Sequence, residues 1–250
     1  MSTPLFDYTI RLADTALVLG HRLSEWCGHA PILEEDMALA NLALDLIGQS
    51  RSFYDYAGAV EGKGRDENAL AYLRLEPEWK NLLIVEQPNG DFAATILRQF
   101  LVAAFLHPFY RRLSGSKDAT LAAIAAKAEK EMAYHVRHCG EWVIRLGDGT
   151  AESHRRISEA LADLWPFTGE MFEVDAGDRA LIEQGIAVDA VALRAEWEQL
   201  VDRVFAEATL ERPGDSWMQT GGRNGRHTEH LGHLLAELQY MQRAHPGLTW

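Results

Sequence analysis

Apolar residues recur at three- and four-residue intervals along most of the chain, broken by short Gly, Pro, Asn and Asp punctuation. Strand-like alternation is almost absent, so the pattern predicts an all-α protein. A first helix is expected from an Asp7 cap to about Cys27, and a second over roughly 35–60 beyond the turn at Pro31. The stretch EGKGRDENALAYLRLEPEWKNLLIVEQPNGD, residues 61–91, loses the periodicity. It reads as an irregular crossover ending in a Pro88-Asn89-Gly90 turn and an Asp91 N-cap. A third helix is expected from there to about Leu113, kinked at His107-Pro108 because proline removes a backbone donor. A fourth, over roughly 117–146, should end at a Gly147 cap.

Two helical hairpins joined by one long crossover give the connectivity of a ferritin-like four-helix bundle, with its core at about 7–146. Three accessory helices are expected at about 153–173, 189–211 and 227–244, the first kinked near Pro166. No linker rich in Gly, Ser or Pro divides the chain and no repeat is present, so residues 1–250 read as one domain.

Composition narrows the partners. The 24 Lys and Arg against 37 Asp and Glu leave a net charge of -13, which repels nucleic acid and anionic membrane surfaces. The start, MSTPLFDYTIRLAD, has neither a basic nor a continuous apolar stretch, and no run of about 18 apolar residues predicts a membrane span. Cys27 and Cys139 are too few for a disulfide framework, and a reducing cytoplasm is the expected location.

A ferritin-like bundle raises the question of a di-iron site, for which two helices each give a Glu and the other two each give Glu-x-x-His. In EMAYHVRH, Glu131 and His135 fall on the apolar stripe of the fourth helix, but their spacing is Glu-x-x-x-His, and Tyr134 stands at the expected ligand position. The second helix offers Asp45, followed three residues later by Gly48. The matching level of the first helix falls near Leu17 and Val18, with Asp14 and His21 to either side, and that of the third at Arg98 and Gln99. Asp45, Glu131 and His135 therefore read as a vestigial ligand set. Arg98 and Lys127 are expected to neutralise the two carboxylates, with Tyr134 and His135 completing the hydrogen bonds.

The segments LGHRLSEWCGHAPILEEDMALANLALDLIGQSR, NLLIVEQPNGDFAATILRQF, EKEMAYHVRH and TGGRNGRHTEHLGHLLAELQYMQR, in this order, resemble the C subunits of bacterial phenylacetyl-CoA epoxidases. These belong to multicomponent monooxygenases of aerobic phenylacetate degradation, and the resemblance covers nearly the whole chain. It implies a structural, ferritin-like subunit with a degenerate metal site, no catalytic residue and no cofactor of its own. Its implied partners are a homologous catalytic A subunit that holds the di-iron centre, a small B subunit and a reductase that uses NADPH.

Two other clusters carry ligand chemistry. His227, His230, His233 and Glu237 fall at helical spacings that suit zinc, and with the bundle carboxylates they keep open the alternative of a self-sufficient di-iron or zinc metalloenzyme. Just before them, TGGRNGR is glycine-rich and basic, and Arg223 and Arg226 are candidates for a phosphate of coenzyme A or for a partner contact. A glycine-elbow serine and a dinucleotide fingerprint are both missing, which leaves hydrolase and nicotinamide readings without support. Trp26, Trp79, Trp165, Trp197 and Trp217 are expected in the core or on a partner surface.

Overall fold

A computed structural model describes residues 2–214 and 217–248. Helices form about 73% of it, and no strand occurs among the described residues. Helices α1 (Pro4–Ser24) and α2 (Leu33–Glu61) make one antiparallel hairpin. Helices α5 (Phe92–Leu113) and α6 (Ala119–Gly147) make the other. The crossover between the hairpins carries α3 (Glu67–Tyr72), a 3₁₀ turn at Glu76–Glu78 and α4 (Leu83–Glu86). It is thus more helical than its broken periodicity predicts. The result is the expected ferritin-like four-helix bundle.

Three of the four bundle helices start where a side chain supplies a cap, while α2 follows Ile32 without one. Asp91 accepts from the Ala94 amide, and Asp118 from those of Thr120 and Leu121. α1 begins earlier than expected: Thr3, not Asp7, is the N-cap, because its hydroxyl accepts from the Phe6 amide and Pro4 presets the first helical residue. Gly62, at φ +67°, stops α2 in the left-handed conformation. Gly147 does not serve that purpose, since it is still helical. A Cβ there would lie 2.1 Å from the Ala208 carbonyl oxygen, so glycine is required by a close approach. α5 runs unbroken through Pro108 and is the central core helix. Phe100, Leu101, Val102, Ala103 and Ala104 are fully buried in it, and its apolar window, long enough for a membrane span, is 83% buried in the bundle.

Beyond α6 come α7 (Ala151–Leu164), α8 (Ala176–Glu183), α9 (Arg194–Glu207) and α10 (Glu229–Ala244). The first accessory helix stops at Leu164, where Pro166 turns the chain into a 3₁₀ segment, and α8 was not evident in the periodicity. α7 and α9 pack on α5 and α6, α8 on α1, and α10 on the crossover. α2 makes its substantial contacts with α1, α3 and α6, so the α2/α6 side of the bundle is left without an accessory layer.

The C-terminal half satisfies the crossover's backbone, which the crossover cannot do for itself. The Glu170 carboxylate accepts from the Leu83 amide at 2.7 Å, and Gln239 donates to the carbonyls of Ala71 and Arg74, both at 3.1 Å. From the bundle side, the buried Asp14 accepts from the Lys80 amide at 2.8 Å, from Tyr54 at 2.6 Å and from the buried Arg74 guanidinium at 3.0 Å. Arg74 also stacks on Trp79, 4.6 Å from the ring centre.

Candidate functional site

Along the α2/α6 seam the sequence places polar residues where a bundle is otherwise apolar, and the structure joins them in rungs. At the first rung the Gln49 amide donates to Glu131 at 2.8 Å, while Lys127 approaches the other carboxylate oxygen at 3.5 Å. At the second, the fully buried His135 places Nε2 3.3 Å from Asp45, and its Nδ1 lies 2.9 Å from the Gln99 amide nitrogen. At the third, His138 Nε2 lies 3.0 Å from Glu35.

These contacts suit a neutral His135 ring with its proton on Nε2. Gln99 donates to Nδ1, so the ring is an acceptor there and carries its proton on Nε2, toward Asp45. Burial pushes the imidazole pKa down against the opposing pull of Asp45, in keeping with a neutral ring. Asp45, Glu131 and His135 are therefore brought together as the sequence predicts, but two of the expected helpers are elsewhere. Arg98 turns to the end of the crossover and donates to the carbonyls of Gln87 and Pro88, at 2.6 and 3.1 Å. One helical position separates it from Gln99, about 100° around the axis, and that rotation takes it out of the seam. Tyr134 projects outward, 39% exposed, and stacks on His138 with ring centres 5.8 Å apart.

The register of α1 also differs from expectation. Gly20, not Leu17, abuts Ala43, Leu46 and Ile47, because a glycine lets the two backbones close there. Asp14 is thereby carried away to Tyr54 and Arg74 and adds no carboxylate at the level of Asp45. The side chains at that level do not fit a di-iron centre: α5 contributes an amide, and Gly48 and Tyr134 stand where the imidazoles would be needed. Among the described residues, no three His, Cys, Asp or Glu side chains are grouped to hold a metal ion.

The second cluster is not convergent. His227 is buried with Nδ1 2.9 Å from Glu86 and Nε2 2.9 Å from the Trp79 carbonyl, so neither nitrogen is left for zinc. His233 and Glu237 are exposed, away from that buried contact. In the glycine-rich loop the seated anion belongs to the chain itself. Glu170 accepts from the amides of Gly221, at 2.9 Å, and Arg223, at 3.4 Å. The Arg223 guanidinium pairs with Asp178 at 2.5 Å and with the Glu173 carbonyl, while Arg226 is exposed. Trp79, Trp165 and Trp197 are core residues, whereas Trp217 is 74% exposed.

Glu86, passed over in the sequence, and Asp14, noted there only beside the expected metal level, each gather several buried partners. The signal was present, since each acid interrupts an apolar run, LIVEQP and RLADTALVL, and a buried acid requires partners.

The family model described as Phenylacetic acid catabolic protein matches residues 1–250. The chain is also 53% identical, over 246 residues, to the C subunit of the 1,2-phenylacetyl-CoA epoxidase of Escherichia coli strain K12, an alignment that covers 98% of this chain and 99% of that one. With a match along its entire length and that identity across nearly all of both sequences, the chain belongs to the phenylacetic acid catabolic protein family.

Proposed function

We propose that this chain is a non-catalytic structural subunit of a multicomponent phenylacetyl-CoA epoxidase, pairing with a homologous A subunit that holds the di-iron centre. A small B subunit and an NADPH-dependent reductase complete the assembly in this reading. The observation that carries it is the α2/α6 seam, where Gln49 and Lys127 engage Glu131 and the buried His135 is held between Gln99 and Asp45. The relative named as the C subunit of an epoxidase supports the heteromer. So does the side of the bundle without an accessory layer, where Leu33, Met37 and Leu44 of α2 are 72%, 60% and 66% exposed.

Metal analysis and co-purification test the proposal together. Purified alone, the chain should hold substoichiometric iron and zinc. Co-expressed with the catalytic partner, it should elute as a tight complex with an interface on the order of 2,000 Å² or more. One or two metals per isolated chain would overturn the non-catalytic reading, and separate elution at micromolar concentration would overturn the pairing.

A further inference from the structure

The solvent side of α10 is not wholly polar. With the crossover it walls an open groove of about 460 Å³, lined by Leu75 and Glu76 on one side and by Gly232, Ala236, Tyr240 and Arg243 on the other. Leu75 and Tyr240 are 60% and 64% exposed, apolar surface left in water. The floor beneath them is firm, since Leu235 is buried and Gln239 is tied to two crossover carbonyls. The charges at the two ends are unspent. Among the described residues Glu76, Glu229 and Arg243 make no ion pair, and the Arg243 guanidinium donates to the Arg74 carbonyl at 2.8 Å.

The stripe is symmetric in sequence about Ala236. Glu229 and Arg243 stand seven positions to either side of it, and Gly232 and Tyr240 four. At about 100° per residue, all five fall within about 40° of one line along the helix. A second copy of α10 laid antiparallel on this line, with the two-fold axis at Ala236, sets each Arg243 level with the other copy's Glu229. It also sets each Tyr240 level with the other copy's Gly232, over which Glu76 lies: a Cβ on that glycine would be 2.9 Å from Glu76 Oε2. The tyrosine hydroxyl then has a carboxylate to donate to. A parallel pairing would set Arg243 against Arg243 and Glu229 against Glu229. Glu237, beside the axis, is turned about 100° to the side and stays in water.

We propose that this groove is the contact of a two-fold homodimer, α10 packed antiparallel on α10 of a second copy. A face that is acidic at one end, basic at the other and apolar between complements itself when turned end for end, which makes this chain its own partner. Tyrosine and arginine are also the residue types that anchor interfaces. The 16 residues of α10 span only about 24 Å, so the contact is small and the association weak. No residue of α2 lines the groove, so the dimer stands or falls apart from any partner seated on α2.

Sedimentation velocity of the full chain from about 1 to about 300 µM tests this, and a monomer–dimer equilibrium with a dissociation constant of about 10–100 µM is expected. Ala236→Glu places two like charges at the axis from an exposed position, so it should leave the thermal midpoint unchanged and weaken the dimer by about tenfold or more. Arg243→Glu should weaken it about tenfold. Adding Glu229→Arg to Arg243→Glu exchanges the two ends and should restore the dimer to within about threefold of the parent. The proposal is overturned if the chain stays monomeric across the range, if Ala236→Glu dimerises as the parent does, or if the exchanged variant is no tighter than Arg243→Glu alone.

Discussion

The imidazole of His227 has an acceptor at each ring nitrogen, the Glu86 carboxylate 2.9 Å from Nδ1 and the Trp79 carbonyl 2.9 Å from Nε2. Two acceptors require two N–H groups, so the ring is held as the imidazolium, paired with a carboxylate as buried as itself. Glu86 is further satisfied by Asn81 at 2.9 Å and by the Thr228 amide at 2.6 Å. This contact joins the start of α10 to the crossover.

Its pH dependence follows from opposing causes. Burial works to lower the His227 pKa, but the hydrogen bond and charge of Glu86 outweigh it and the net shift is upward from 6.5. A raised folded-state value means that the stabilisation is complete below the unfolded value and is lost as pH rises through the folded one. His227→Gln should therefore lower the thermal midpoint most in mildly acidic buffer, and the gap from the parent should narrow as pH rises. A gap constant across the titration would show that the ring is not held charged.

Asp14 and Arg74 form a second deep ion pair, with Arg74 only 3% and Asp14 0% exposed. Removing one partner leaves a buried charge uncompensated, so Asp14→Ala or Arg74→Met alone should each cost about 3–5 kcal/mol. The double variant should lose less than the two losses summed, by about 1–3 kcal/mol of coupling. Urea denaturation of the four proteins measures the cycle, and additive losses would mean that the pair is not the tie between α1 and the crossover.

Gly147 makes a different demand. With no room between its backbone and Ala208, Gly147→Ala should force the end of α6 from the 208–210 turn and cost about 1–3 kcal/mol of overpacking. Gly48 has open space where a Cβ would stand, so Gly48→Ala should be neutral or stabilising by as much as about 1 kcal/mol through its helix preference. Paired thermal melts distinguish a steric glycine from a permissive one.

Much of the fold was legible because apolar residues recur at helical spacing, as a clear stripe in α1 and α6 and on nearly every face of α5, and because Asp91 and the Pro88-Asn89-Gly90 turn are strong local signals. The register of α1 was not legible, since it depends on how closely Gly20 lets that helix approach α2, a property of the pair. At the seam, the inward position of Glu131 and His135 followed from periodicity, but the direction of Arg98 did not. Its guanidinium is drawn to carbonyls at the end of the crossover, whose path no spacing rule supplies. Glu86 and His227 stand 141 positions apart, and nothing local to either announces the other.

The seam itself yields the sharpest functional test. His135 uses one acceptor, at Nδ1, and one donor, at Nε2, and glutamine offers both. His135→Gln should leave stability near the parent and epoxidation by the reconstituted complex within about a few-fold, because on the proposed reading the ring holds no metal. Glu131→Ala removes the acceptor of Gln49, whose amide oxygen already lacks a partner, so a buried amide would be left without any hydrogen bond. That should cost about 1–3 kcal/mol and reduce the yield of complex while turnover per intact complex survives. The exposed Lys127 adds little to the loss, since it remains solvated without Glu131. An iron ligand behaves otherwise, because its removal abolishes turnover and metal even in fully assembled protein. Turnover per mole of intact complex, measured beside iron content for both variants, separates the two readings, and a collapse with assembly unimpaired would mean that the seam is a working metal site.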